Sequence, residues 1–79
     1  MHIYSISKSD IENELSTKKT ASAKKAFLTR SKKQATELLN DLTEAYHNGR
    51  RYLGDAVSSI DIDNVRYEIA LYDEMYTAL

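Results

Sequence analysis

The sequence predicts a small α+β domain, and three observations support this prediction. Residues 2–6 combine β-branched and aromatic side chains in a short alternation that is typical of a strand. Residues 20–48 contain neither glycine nor proline and carry apolar side chains at helical spacing. Residues 56–72 can pair as a β-hairpin with one apolar face. A sheet of three short strands, covered by the long amphipathic helix, buries all of these apolar faces.

We expect the N-terminal strand to turn Tyr4 and Ile6 inward, and a short helix to follow over residues 10–17. Ser9 and Glu12 match the capping box. In that motif the serine oxygen accepts from a free amide of the first helical turn, and the acid reaches back to the amide of the serine. Two apolar residues at a spacing of four give this helix an inward face: Ile11 and Leu15.

The long helix is predicted over residues 20–48, because this segment is dominated by good helix formers. Gly49 follows it directly and can adopt the left-handed conformation that ends a helix. The second half of the segment has the most regular amphipathic pattern in the chain, so we expect it to lie on the core. Its apolar stripe consists of Ala35, Leu38, Leu39, Leu42, Ala45 and Tyr46.

The C-terminal third of the chain fits two structures. As a hairpin, residues 56–62 pair with residues 65–72 across a turn at the dipeptide Asp63-Asn64, and the tail 73–79 follows. As a helix, the same region has an unbroken repeat of apolar residues at spacings of three and four, but Glu68 then falls inside the apolar arc. We therefore predict the hairpin, and a small all-α bundle with a C-terminal helix is the alternative.

The length of 79 residues predicts one domain over residues 1–79, with a single small core. It excludes two-domain enzymes and the Rossmann and barrel folds. The chain has no cysteine, which excludes disulfides and thiolate zinc sites. Its first residues lack the charged start and apolar run of a signal peptide, and no stretch is apolar enough to span a membrane. We therefore expect a cytoplasmic protein with no membrane partner.

The net charge of −1 conceals a strong separation of charge along the chain. Residues 17–33 carry seven basic residues and no acid, whereas residues 52–79 carry six acids and one arginine. Clustered cations attract phosphates or acidic partners, but a solvated helix face neutralised by the rest of the fold is an equal alternative. The candidate basic surface for partner binding consists of Lys18, Lys19, Lys24, Lys25, Arg30, Lys32, Lys33, Arg50 and Arg51.

Six tyrosines are many for so short a chain. Tyrosine is common at protein interfaces because it offers a large rigid surface with a polar tip. In the predicted fold Tyr4, Tyr46 and Tyr67 lie on core faces, while the last two tyrosines stand among acids near the C-terminus. A tail that folds back onto the helix is the alternative to an interface. The candidate acidic-aromatic surface for partner binding consists of Tyr72, Asp73, Glu74, Met75 and Tyr76.

No pattern in the sequence indicates catalysis, a metal or a cofactor. His2 and His47 are the two histidines and have no metal-binding spacing. Residues 61–64 resemble the start of a calcium loop, but the later ligand positions do not match. Gly49 and Gly54 are isolated, so no phosphate-binding loop is present. We expect a protein that is not an enzyme.

Three classes of function remain for a small chain with separated charges. The first is a stoichiometric inhibitor or regulator of a larger protein or ribonucleoprotein; the small inhibitors that phages use against bacterial defence nucleases are proteins of this kind. The second is a nucleic-acid binder that uses residues 17–33, although an isoelectric point of 6.1 counts against it. The third is a helical oligomerisation module. We predict the first.

Overall fold

The computed structural model describes residues 7–79, so the strand predicted at residues 2–6 and the inward position of Tyr4 lie outside the described residues. Three helices and one very short hairpin make up the described chain. In chain order these are α1 (Lys8–Ser16), α2 (Ala21–His47), β1 (Arg51–Tyr52), β2 (Asp55–Ala56) and α3 (Ser59–Thr77). The molecule is elongated, with principal extents of 43 × 21 × 18 Å.

Helix α1 begins two residues earlier than predicted. The capping box is formed by Ser7 and Asp10, in which the Asp10 amide donates to Ser7 Oγ at 3.1 Å and the Ser7 amide donates to Asp10 Oδ2 at 3.4 Å. The predicted box at Ser9 and Glu12 is therefore wrong, because Ser7 matches the same motif and adds two residues of helix. The predicted inward face is confirmed: Ile11 is fully buried and Leu15 packs against the core.

Helix α2 is confirmed almost over its predicted length. The hydroxyl of Thr20 caps its first turn by accepting from the Ala23 amide at 3.1 Å. At the other end Gly49 has a φ of 63°, the Gly49 amide donates to the Tyr46 carbonyl, and the Arg50 amide donates to the Ala45 carbonyl at 2.8 Å. These two bonds are those of a Schellman motif. With 27 residues, α2 is about 40 Å long and defines the long axis of the molecule.

The one hairpin that the described residues contain lies directly after α2, not at the predicted position. Arg51 pairs with Ala56 and Tyr52 pairs with Asp55, which leaves the two-residue turn Leu53-Gly54. Both turn residues have positive φ, 50° and 84°, as in a type I′ turn. This compact turn reverses the chain so that α3 can return along α2.

The predicted hairpin over residues 56–72 is wrong, and with it the α+β fold. Residues Ser59–Thr77 form one helix, so the described chain is mostly helical and closer to the alternative of a small all-α bundle. The helix begins at a second capping box, in which the Asp61 amide donates to Ser58 Oγ and the Ser58 amide donates to Asp61 Oδ2. The Ser-x-x-Asp pattern that forms it is visible in the sequence.

Glu68 was the reason for rejecting this helix, and the structure accommodates its carboxylate. Glu68 is only partly buried, and its Oε1 accepts a hydrogen bond of 2.6 Å from the hydroxyl of Tyr72, one turn later. A polar group in an apolar arc is costly only when it lacks a partner. Because Tyr72 supplies one, the acid does not exclude the helix.

The core lies between α2 and α3, which run antiparallel and are covered at one end by α1. Lys32 on α2 meets Asp73 on α3, whereas the earlier Lys25 meets the later Tyr76, and this order defines the antiparallel arrangement. Tyr46 and Tyr67 are 46% and 60% exposed, so the prediction that they lie in the core is wrong. The buried core cluster consists of Ile11, Leu28, Ala35, Leu42, Ile62, Val65, Leu71, Tyr72 and Met75.

Candidate binding groove between the long helices

A groove of about 410 Å³ runs between α2 and the C-terminal half of α3. Its floor is apolar and is formed by Leu28, which is 1% exposed, and by the ring of Tyr72, which is 4% exposed. Exposed polar side chains form the two walls above this floor. They are Thr29, Lys32, Lys33, Thr36 and Glu37 from α2, and Asp73 and Tyr76 from α3.

Helical periodicity explains why these residues meet. Thr29, Lys32, Lys33 and Thr36 are spaced by three and four residues, so they share one side of α2. The hydroxyl of Thr36 bonds its own helix, donating to the Lys32 carbonyl at 2.8 Å. The Thr36 methyl group and the lysine stems therefore form the apolar part of the α2 wall.

Two contacts between side chains of α2 and α3 join the walls of the groove. Lys32 Nζ lies 2.6 Å from Asp73 Oδ1, and the two side chains are 45% and 57% exposed. Lys25 Nζ lies 5.6 Å from the centre of the Tyr76 ring, within the range of a cation–π contact. An exposed ion pair contributes only about 0–1 kcal/mol, so a ligand can separate Lys32 from Asp73 at little cost.

A hydrogen-bonded network holds the floor of the groove in place. The hydroxyl of Tyr72 donates to Glu68, and Ser31 on α2 also bonds this hydroxyl. Burial raises the pKa of Tyr72, and the bond to Glu68 and its charge raise it further, while the Ser31 bond acts in the opposite direction. Burial also raises the pKa of Glu68, opposed by the bond from Tyr72. Tyr72 therefore remains a protonated donor and links α3 to α2.

The predicted basic surface does not form one continuous face. Lys32 and Lys33 line the groove, and Lys25 lies at its end over Tyr76. Lys18 lies over the ring of Phe27, with its Nζ 5.4 Å from the ring centre. Elsewhere on the surface are Lys19 in the loop before α2, Lys24 and Arg30 on other sides of α2, and Arg50 and Arg51 at the far end beyond α2.

The basic segment is partly balanced by acids at the same end of the molecule. The acids of α1 and of the C-terminal part of α3 lie at the same end of the molecule as the N-terminal half of α2. Segments 7–33 and 71–79 carry eight basic residues and five acids, which leaves a net positive charge. Lys32 forms an ion pair with Asp73 of α3, whereas Lys25 contacts the uncharged ring of Tyr76.

The predicted acidic-aromatic surface is divided between core and solvent. Tyr72 and Met75 are 4% and 9% exposed and belong to the core cluster, so neither is available to a partner as a surface residue. Asp73, Glu74 and Tyr76 are exposed, and the first and last of these form the α3 wall of the groove. The error follows from assigning residues 65–72 to a strand and the remainder to a tail.

Five residues that build the groove were not among the site residues predicted from the sequence: Leu28, Thr29, Ser31, Thr36 and Glu37. The spacing of Thr29 and Thr36 around the two lysines was available as a signal for one wall. The opposite wall had no such signal, because it depends on how α3 is rotated and aligned against α2.

The described residues 7–79 contain no group of three or more potential metal-ligating side chains. None of the helices in this part of the chain is long and apolar enough to cross a membrane. Comparison with known proteins found no matching family model, no similar curated protein and no similar solved structure.

Proposed function

We propose that this protein is a stoichiometric inhibitor or regulator that binds a larger protein partner through the groove between α2 and α3. The observation that carries this proposal is the groove itself, which has a volume of about 410 Å³ and is walled by exposed lysine, threonine and tyrosine side chains, with charged groups at its rim. Concave apolar surfaces with a few polar groups are typical of binding sites. The volume suits one or two side chains of a partner protein.

The composition of the rim supports a protein partner ahead of a nucleic acid. The groove is lined by two lysines and two acids, and Lys32 is already paired with Asp73. Binding to a phosphate backbone depends on several cations that are free to displace counterions. A partner that offers an apolar side chain flanked by polar groups of both charges matches these walls more closely. The cytoplasm is the location that we propose, because a chain without cysteine gains nothing from an oxidising compartment.

A groove-filling variant tests the proposal. Thr36→Trp places a large ring in the groove at an exposed helix position, whereas Gln34→Trp places the same ring on the other side of α2, since residues two apart do not share a helix face. Both variants and the wild type are used as bait in host lysate, and the captured proteins are quantified by mass spectrometry. We expect one protein to be captured at a fixed ratio by the wild type and by Gln34→Trp, and to be lost with Thr36→Trp.

Two results contradict the proposal. One is a partner retained equally by both tryptophan variants, since the groove is then not the contact. The other is capture that disappears after nuclease treatment, which indicates nucleic acid. In the second case, duplex binding measured against salt concentration must show a steep decrease of affinity as phosphate contacts are lost.

A further inference from the structure

Two charged side chains of the groove have no ion partner of their own. Lys33 and Glu37 lie one turn apart on the α2 wall, and neither takes part in an ion pair among the described residues. A lysine that precedes a glutamate by four residues is the weaker orientation for a helical ion pair, so the sequence does not favour their pairing with each other. Neighbouring Lys32, in contrast, is paired with Asp73. Lys33 and Glu37 are therefore available to a segment that binds in the groove.

The charge changes sign along the groove. Lys25 lies at one end, where its Nζ contacts the uncharged ring of Tyr76, and no acid of residues 7–79 pairs with it. Lys33 lies farther along α2 and Glu37 lies at the other end, so residues 25–37 extend about 18 Å. A segment that follows α2 meets two cations and then one anion. Complementary charges on that segment are acids opposite the lysines and a base opposite Glu37.

The apolar surface that a ligand can reach lies on the walls of the groove. Leu28 and Tyr72 are almost entirely buried. The accessible apolar area therefore comes from the ring of Tyr76, which is 44% exposed, the Thr36 methyl group and the lysine stems. Two antiparallel helices form these walls over residues 29–37 of α2, about 12 Å or two helical turns. An amphipathic helix fits such a groove, with its apolar residues at spacings of three and four.

We infer that the groove binds an amphipathic helix of the partner protein, with acids opposite Lys25 and Lys33 and a base opposite Glu37. The apolar residues of this helix pack on Tyr76 and on the lysine stems. The net positive charge of segments 7–33 and 71–79, with eight basic residues and five acids, attracts its acids. The inference rests on the proposed function and adds the chemistry of the segment that the groove binds.

A displayed library of random peptides tests this chemistry without a known partner. The peptides have about 20 residues, which is long enough to form a helix. The library is selected on the wild type, and peptides that also bind Thr36→Trp are removed because its ring fills the groove. We expect the remaining peptides to share apolar residues at a spacing of three or four and an excess of Asp and Glu. Selection on Lys33→Glu should keep the apolar spacing and replace an acid by Lys or Arg, because the reversed charge repels an acid.

The affinity of one selected peptide measures the same contact. Fluorescence anisotropy should give a Kd at least about tenfold weaker for Lys33→Glu than for the wild type, and exchanging the facing acid of the peptide for lysine should restore binding. Lys19→Glu is the matched control, because it makes the same charge change in the loop before α2, outside the groove. At about 0.15 M salt it should change the Kd by less than about twofold, since distant exposed charges are screened.

Three results overturn the inference: no peptide that Thr36→Trp excludes, selected peptides without helical spacing, or the same acids selected by Lys33→Glu and by the wild type. Failure of the proposed function gives a different result. A lysate partner that is lost with Thr36→Trp, together with peptides that do not respond to the charge at position 33, supports the proposed function and rejects the inference. Peptides that follow this charge, with no partner captured from lysate, support the preference of the groove for such a helix and reject the proposed function.

Discussion

Replacing Tyr72 by phenylalanine removes a single hydroxyl from the interface between α2 and α3. The ring is buried and stays in place, so no cavity of any size results. The lost hydroxyl donates to Glu68 Oε1 at 2.6 Å and also bonds Ser31, and the partly buried Glu68 loses this donor. We therefore expect Tyr72→Phe to destabilise the fold through hydrogen bonding alone.

The size of the effect follows from the charge of the acceptor. A hydrogen bond to a charged group contributes about 1.5–3 kcal/mol to stability, and the partial access of Glu68 to water places this one near the lower end, at about 1.5–2 kcal/mol. For a domain of 79 residues, each kcal/mol lowers the Tm by about 4–8 °C. A decrease of roughly 6–16 °C in Tm at pH 7 is therefore expected.

Urea unfolding followed by circular dichroism at 222 nm measures this difference, at pH 7 and again at about pH 4. Near pH 4 the Glu68 carboxyl becomes protonated because its pKa is raised, and the loss should decrease to about 1 kcal/mol, as for a neutral hydrogen bond. Tyr67→Phe is the matched control, since Tyr67 is 60% exposed on the same helix. We expect it to change stability by less than about 0.5 kcal/mol.

The reasoning is refuted if Tyr72→Phe and Tyr67→Phe lose equal stability at pH 7. A loss for Tyr72→Phe that does not change with pH is also inconsistent with it, because the acceptor must then be a group other than Glu68. In that event the network does not explain how α3 tolerates an acid in its apolar arc.

Three further predictions concern the fold. Ser58→Ala removes the cap of α3 and should cost about 1 kcal/mol in unfolding free energy, with a lower helix signal at 222 nm. Leu42→Ala creates a cavity at a fully buried position and should lower the unfolding free energy by about 2–5 kcal/mol. Ile60→Ala, at an exposed helical position, should change it by less than about 0.5 kcal/mol. The hairpin predicted from the sequence places Ile60 on its apolar face and would instead require a large loss of stability for this variant. Folding raises the pKa of Glu68, so this group stabilises the fold fully at a pH below 4.5, its ordinary pKa. The stabilisation is lost as the pH rises through the pKa of the folded state. Glu68→Gln should therefore gain stability relative to the wild type between about pH 4 and 7, and a difference that stays constant with pH contradicts this cause.

The helices that local chemistry defines were predictable. The Schellman motif at Gly49 requires a residue that tolerates positive φ, and the run from Ala21 to His47 lacks any helix breaker. The sequence also contained the signals for helix α3, namely the spacing of its apolar residues and the Ser58–Asp61 capping box. It was misassigned because Glu68 falls inside its apolar arc, and the donor that accommodates this acid is a hydroxyl four residues away.

The candidate groove was only half predictable. One wall follows from the period of α2, since Thr29, Lys32 and Thr36 share a helix side whatever packs against them. The other wall depends on Asp73 and Tyr76 lying opposite, and no local pattern states the register between two antiparallel helices. That register results from packing the buried residues of both helices into one core.

The sequence by itself determined where α2 begins and ends, the inward face of α1 and the separation of charge along the chain, because propensity, capping and charge reside in neighbouring residues. Only the tertiary structure decided which residues of the two charged segments meet. By returning α3 along α2, the fold pairs Lys32 with Asp73 and Lys25 with Tyr76, and so joins two surfaces that appeared separate in the sequence. The physical reason is that an antiparallel turn brings the most distant residues of a helix pair into contact, and interactions across that distance leave no periodic signal in the chain.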